Sequence, residues 1–256
     1  MHIKTNINYD NIPMRIHLFK KNTAKQFPLT KEQSIVMTFK KPEFSKIAAR
    51  AEKNRSTRYA WRAIERIFGN IFSEEKIIPV AFLCPLTFNA KCLNGYNDEN
   101  SKMLLGAIWS IGSWLENKSS LWMNGGHPAE GLFLDVVGSL CLIEMKRSLI
   151  DQIRRFFCQP QGWSIVQEWS PGRDSAPIGL QRAIFEDVIQ SHEDLPLKIN
   201  PDNTLKPWKS CSAILSLGEG EEKCLDPDIP CPDCPGETCL YFHIGGCHLL
   251  STKKPF

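Results

Sequence analysis

The chain has 256 residues, 42% hydrophobic and 23% charged, with a net charge of only +3. That is globular composition, enough for one large domain or two small ones. No run of about eighteen apolar residues is present, which excludes a membrane-spanning helix. The opening stretch MHIKTNINYDNIPMRIHLFKK has no apolar core of a secretory signal, so the expectation is a cytoplasmic protein with reduced thiols. Charge is uneven: the first 70 residues hold fifteen Lys/Arg against five Asp/Glu, and the remainder sixteen against twenty-three. No nucleic-acid motif accompanies the basic end, so it reads as a solvated face, or one docked on the acidic remainder.

Residues 1–41 are polar and irregular, with room for short strands. Ile47, Ala48, Ala51, Tyr59, Ala60, Ala63, Ile64 and Ile67 recur at helical spacing and predict a helix over 43–72, ended by Gly69-Asn70. Residues 77–83 form a short apolar run, a buried strand despite Pro79, and 89–100 read as a loop. A second apolar run spans 103–111, turned at Gly112 and followed by a short helix over about 113–118. Pro128, after Asn124-Gly125-Gly126-His127, is placed to start the longest helix, over about 129–157. Its expected apolar face is Leu132, Val136, Leu140, Ile143, Met145 and Ile150, and Gly138 lets a neighbour approach closely. A strand is expected over 163–169, a loop over 170–177 and a helix over 178–191 with Leu180, Ile184, Phe185 and Val188 inward. Short strands at 196–199 and 211–217 flank a turn at Pro207. The irregular alternation predicts an α+β fold, an antiparallel or mixed sheet with flanking helices.

The C-terminal stretch is different. Cys224, Cys231, Cys234, Cys239 and Cys247 are interleaved with Pro227, Pro230, Pro232, Pro235, Gly236, Gly245 and Gly246. Such a stretch cannot be a regular helix and has little apolar surface to bury, so thiolates around a metal centre would hold it. The C-x2-C-x4-C core suits either a structural zinc site or an iron–sulfur cluster, and a disulfide knot suits only a secreted chain. Five cysteines compete for four positions. Cys84, Cys92, Cys141, Cys158 and Cys211 are scattered and read as small buried hydrophobes. The expected organisation is a basic N-terminal segment with a helix (1–75), a central domain (76–218) and the irregular cysteine-rich segment (219–256).

Three stretches carry a resemblance. LLGAIWSIGSWLENKSS with EGLFLDVVGSLCLIEM, then EWSPGRDSAPIGLQRAIFEDV, then PLKINPDNTLKPWKSCSAILSLG occur in that order. Together they resemble the activation domain of cobalamin-dependent methionine synthase, and most of all its stand-alone relatives with a cysteine-rich tail. The resemblance covers about 103–239. It implies an α+β fold, a corrinoid-facing surface and S-adenosylmethionine as methyl donor, and it favours a 4Fe–4S cluster over zinc in the tail. Corrinoid contacts are then expected from Trp169, Ser170, Pro171, Gly172 and Arg173 in one loop, and from Pro207, Trp208, Lys209 and Ser210 in another. One departure matters: Glu168 and Arg173 stand where the family has an Arg before the loop and a Tyr after it. A carboxylate there should repel the carboxylate of S-adenosylmethionine, whose binding is therefore not expected. His243 has Gly246 three residues on, but Tyr241 replaces the Asp of the usual cobalt-ligating motif, so it is read as coincidence. His127 is read as a loop cap.

No Ser/His/Asp triad, P-loop or dinucleotide fingerprint is present. The reading is a corrinoid-binding iron–sulfur protein that holds a cobalamin-type cofactor, passes electrons to its cobalt, and serves a corrinoid-dependent methyltransferase or another corrinoid protein. The rival is a non-catalytic interaction module whose tail is a zinc clip.

Overall fold

The structure is a computed structural model that describes residues 58–59, 62–63, 79–86, 92–93, 99–172, 176–189 and 196–222, together with the backbone of two strands at 11–18 and 33–40. The strands are β1 (Asn11–Leu18), β2 (Gln33–Lys40), β3 (Val80–Pro85), β4 (Ser101–Ser110), β5 (Ser164–Trp169), β6 (Lys198–Ile199), β7 (Leu205–Lys206) and β8 (Ser210–Gly218). The helices are α1 (Trp114–Asn124), α2 (Pro128–Ile153) and α3 (Gly179–Ile189). Six strands form one sheet in the order β2-β1-β3-β4-β8-β5, and β6 and β7 make a separate two-stranded ribbon. Only β1 and β3 run parallel; every other neighbouring pair is antiparallel. The fold is therefore α+β, a mixed sheet with flanking helices, as expected.

The N-terminal stretch contributes more than short strands. β1 and β2 pair over eight residues, and β1 joins β3 in the main sheet. Of the helix expected over 43–72, only 58–59 and 62–63 are described, and all four residues are helical. The expected 89–100 loop and the whole cysteine-rich segment from 223 onward fall almost entirely outside the described residues.

The central strands bury both faces, which explains their continuous apolar runs. Ala81, Leu83, Met103, Leu105, Ala107, Trp109, Ala213, Leu215 and Leu217 pack on one face with α1 and α2. Val80, Phe82, Cys84, Leu104, Ile108 and Ile214 pack on the other with α3. The split follows the period-two alternation of a strand. Gly106 marks where α3 comes closest: a Cβ there would lie 2.7 Å from Leu86 Cδ2 and 3.1 Å from Ile184 Cγ2.

Pro128 starts α2 as expected, because its missing N–H is one the first helical turn leaves unused. The buried stripe of α2 differs from the expectation. Val136, Met145 and Ile150 are buried, but Leu132 and Leu140 are only partly so, and Phe133, Leu134, Val137, Cys141, Leu149 and Ile153 carry the packing. Polar residues from Glu130 to Gln152 are spread around the helix rather than gathered on one side, so its periodicity alone does not select a face. α1 runs to Asn124, beyond the expected 118, and packs back on α2 where Ser119 Oγ donates to Gly131 O at 2.7 Å. Among the described residues, no helix is long and apolar enough to cross a membrane.

Candidate functional site

β4 ends, β5 ends and β8 begins at one end of the sheet, because β8 is antiparallel to both neighbours. Three connections therefore lie toward that end: 111–113 after β4, the chain that leaves β5 at Ser170, and 206–210 before β8. This brings the two expected corrinoid loops to a common end of the molecule.

The 206–210 turn is stitched to the β4–α1 junction. Ile111 N–H and the buried Ser110 hydroxyl both donate to Lys209 O, each at 3.2 Å, and Lys209 N–H donates to Glu116 Oε2 at 3.2 Å. Ser210 Oγ donates to Ser110 Oγ at 2.9 Å. Lys206-Pro207 is a cis peptide. The Lys209 side chain runs inward across α2. Its ammonium sits 2.8 Å from Asp135 Oδ1 and 3.0 Å from Ser139 Oγ, and its stem lies 3.2–3.4 Å from where a Cβ on Gly138 would be. The close approach expected at Gly138 is this lysine.

Lys209 was expected to reach toward a bound corrinoid. Its side chain, 11% exposed, instead turns inward and is held by its counter-charge. Trp208, next to it, points outward: it is 56% exposed, with Lys206 Nζ 3.5 Å from the ring centroid.

In the other loop, Trp169 is 1% exposed and belongs to the α3-side core, so it is not an edge for a ligand. A bulge between Ile165 and Gln167 explains its direction. Ile165 packs on the α2 side, and the extra residue turns Trp169 to the opposite face although both numbers are odd. Glu168 stays on the α2 side and pairs with Lys146 Nζ at 2.6 Å, while Ser170 Oγ donates to it at 3.4 Å. The carboxylate expected to repel S-adenosylmethionine is thus already compensated, and that electrostatic argument loses most of its force. Gly172 has φ +83°, its N–H donates to Ala176 O at 2.8 Å, and a Cβ there would meet Ile178 Cδ1 at 3.0 Å. Glycine alone takes that backbone without strain. Ile178 itself is 40% exposed. Pro171 lies in the same tight turn; Arg173 lies outside the described residues.

The β6–β7 ribbon is tied to α3 by side chains that motif reading did not single out. Gln181 donates to Asn203 O at 2.6 Å and accepts from Ser212 Oγ at 2.9 Å. Arg182 donates to Asn203 Oδ1 at 2.8 Å and Asn200 O at 2.7 Å. Asn203 has φ +66°, and Asp202 receives Thr204 Oγ1 at 2.7 Å and Thr204 N–H at 3.1 Å. Those bonds hold the Asp202 carboxyl below its usual range. The expected His127 cap makes no side-chain capping bond; His127 instead faces Glu130 at 3.5 Å.

The cysteine-rich segment leaves from the opposite end of the sheet. β8 has nine residues, so its far end is roughly 26 Å from the 206–210 turn. There Glu219 N–H donates to Asn100 O at 3.1 Å, and Glu222 pairs with Arg154 at 2.6 Å. The described chain therefore ends at the other end of the sheet from the 206–210 turn. Cys224, Cys231, Cys234, Cys239, Cys247 and His243 lie outside the described residues. Among the described residues, no group of three or more His, Cys, Asp or Glu is placed to hold a metal ion.

Of the scattered cysteines, Cys84, Cys141 and Cys158 are buried as expected, Cys211 is intermediate and Cys92 is exposed. Burial, with a smaller push from Glu222, raises the Cys158 thiol from 9.0 to about 11. Below 9 the thiol is protonated whether the chain is folded or not. Between 9 and 11 the unfolded chain loses the proton and the folded chain keeps it, so stability falls as pH rises through that window. The urea midpoint should drop more steeply there for the wild type than for Cys158→Ala; equal slopes would mean the thiol is hydrated in the folded chain.

No protein-family model matches the chain, and no curated protein sequence does. Among solved structures, the chain is similar to the crystal structure of the MetH reactivation domain bound to AdoHcy, with 10% identity and a TM-score of 0.48. The match covers 66% of this chain and 67% of that one.

Proposed function

We propose that this chain is a corrinoid-binding iron–sulfur protein, with a cobalamin-type cofactor seated against the 170–173 loop and the 206–210 turn. The observation that carries the reading is Trp208: a large apolar ring, 56% exposed, on a turn anchored from behind by a buried ion pair. Ring and anchor together present apolar surface at little entropic cost. Pro207 and the Ser170-Pro171-Gly172 turn complete the surface, with the exposed Ile178 packed where a Gly172 side chain would be. Lys209 and Ser210 act behind that surface, as supports of the turn. Such a corrinoid supplies cobalt redox or methyl-transfer chemistry; the chain's own part is to hold it and limit water around it. The central domain (76–218) would carry this surface and the 219–256 segment the cluster, with Cys231, Cys234 and Cys239 as ligands and Cys224 or Cys247 as the fourth. A 4Fe–4S cluster there would pass electrons toward the corrinoid, on behalf of a corrinoid-dependent methyltransferase or a similar partner in the cytoplasm. S-adenosylmethionine is left out of the reading because the family's Arg and Tyr are replaced by Glu168 and Arg173; with Glu168 paired to Lys146, the reason is the missing Arg donor and not repulsion.

One observation favours the rival, a structural zinc clip. The tail departs from the end of the sheet opposite these loops. Eight residues, 223–230, separate Glu222 from Cys231, at most about 30 Å when extended, so a cluster reaches the loops only if the tail runs back along the sheet. A single preparation decides. Anaerobically purified protein should contain iron, and Cys234→Ser should lose most of it; zinc in place of iron would establish the clip. Added cob(II)alamin should show a shifted spectrum with wild type and none with Trp208→Ala, whereas S-adenosylmethionine should give no heat on titration. A wild-type spectrum unchanged by added corrinoid would remove the corrinoid site.

A further inference from the structure

Among the described residues, β5 is an end strand of the main sheet: it pairs with β8 on one side only. Its sequence, SIVQEW, has neither Lys nor Pro; Glu168, whose charge Lys146 pairs, and the bulge after Ile165 are its only guards against an added strand. An open edge offers a row of backbone donors and acceptors to any extended segment that reaches it.

One segment of this chain is positioned to reach it. The described chain ends on that side of the sheet: Glu222 is paired with Arg154, and a Cβ on Gly220 would lie 3.4 Å from Val166 Cγ1 of β5. The other end strand, β2, lies five strand spacings away, about 24 Å. Thirty-four residues follow Glu222. Within them Thr238-Cys239-Leu240-Tyr241-Phe242-His243-Ile244 is a run of β-branched and aromatic residues, bounded by Pro235-Gly236 and Gly245-Gly246. Leu240, Phe242 and Ile244 alternate with Cys239, Tyr241 and His243, the period of a half-buried strand. The run from 239 to 244 has six residues, the length of β5. Sixteen residues, 223–238, connect it to Glu222, a span of up to about 50 Å, ample for either strand direction. Between 223 and 244 the segment has four Asp/Glu against one Lys. The end of α2 beside the exit carries the exposed Arg155, as well as Arg154, which Glu222 and Asp151 already pair.

We propose that residues 239–244 add to the open edge of β5 as a seventh strand, so that the cysteine-rich segment is held along the side of the sheet. The pairing would place Cys239 beside β5 and carry the segment back from its exit point. It does not depend on which metal the cysteines bind, or on whether a corrinoid binds at all.

Hydrogen exchange on the full chain tests it. In a two-sided strand all the amides of 164–169 are protected; in a true edge strand about half, those pointing away from β8, exchange quickly. The wild type should protect both sets, and Phe242→Pro should speed the outward set at least about tenfold while β4 amides stay slow. Fast outward amides in the wild type, or protection unchanged in Phe242→Pro, would overturn the pairing. Should the proline variant unfold the sheet, the wild type still decides: cross-strand contacts by nuclear magnetic resonance between 164–169 and 239–244 must be present, and their absence refutes the proposal. Iron content, measured on the same samples, reports the cluster separately. Protected amides without iron leave the strand standing, and iron without protection removes the strand alone.

Discussion

Replacing Trp169 by alanine should destabilise the fold by about 3–5 kcal/mol, the range for deleting a fully buried large aromatic. Replacing Trp208 should change stability by no more than about 0.5 kcal/mol, as for an exposed side chain. The two residues flank the two candidate loops and read alike as loop tryptophans, yet one is 1% and the other 56% exposed. Trp169 sits among Ile184, Phe185, Val188 and Ile214, where the α3 helix closes the second core. Its removal leaves a cavity that neither a strand nor a helix can collapse into without losing its own hydrogen bonds. Urea unfolding at unchanged slope measures both effects. A Trp169→Ala cost below about 1 kcal/mol would mean that β5 does not pack on α3 as described. The contrast also guards the functional test: loss of corrinoid binding in Trp169→Ala would report damage to the fold, whereas loss in Trp208→Ala, at full stability, reports the surface.

The bulge that separates these tryptophans shows why part of the site was hidden in the sequence. Strand parity puts Ile165 and Trp169 on the same face, and one inserted residue sends them to different cores. No local signal marks that insertion. Elsewhere the local signals were enough. The run over 103–111 is continuous because β4 is covered on both faces, Pro128 begins α2, and Leu180, Ile184, Phe185 and Val188 mark the packed side of α3. The pairing of β1 with β2 is less plain: 1–41 reads as polar and irregular with short strands at most, although Ile12, Met14, Ile16 and Leu18 recur with a period of two. What no pattern could reveal were pairings between distant positions. Glu168 meets Lys146, Gln181 meets Ser212, and Lys209 meets Asp135 only once the sheet and α2 have been assembled.

Breaking the Lys209–Asp135 pair should be costly, and its two halves should cost different amounts. Removing Asp135 leaves an ammonium whose side chain is 11% exposed without its counter-charge; removing Lys209 leaves a carboxylate that is 28% exposed and can hydrate. Asp135→Ala should therefore lie near the range of about 3–5 kcal/mol for a broken buried pair, and Lys209→Met below it, at about 2–3 kcal/mol. The double variant should cost less than the sum of the two, with a coupling of about 1–3 kcal/mol. Additive losses below about 0.5 kcal/mol each would show that solvent screens the pair. The functional consequence follows from the backbone of the same lysine, which accepts from Ile111 and Ser110 and donates to Glu116. Those three bonds and the ion pair all converge on residue 209, one position from Trp208. Losing the ammonium while keeping the three backbone bonds should weaken corrinoid binding less than Trp208→Ala does. Losing Asp135 should loosen the turn itself, and with it the direction in which Trp208 points.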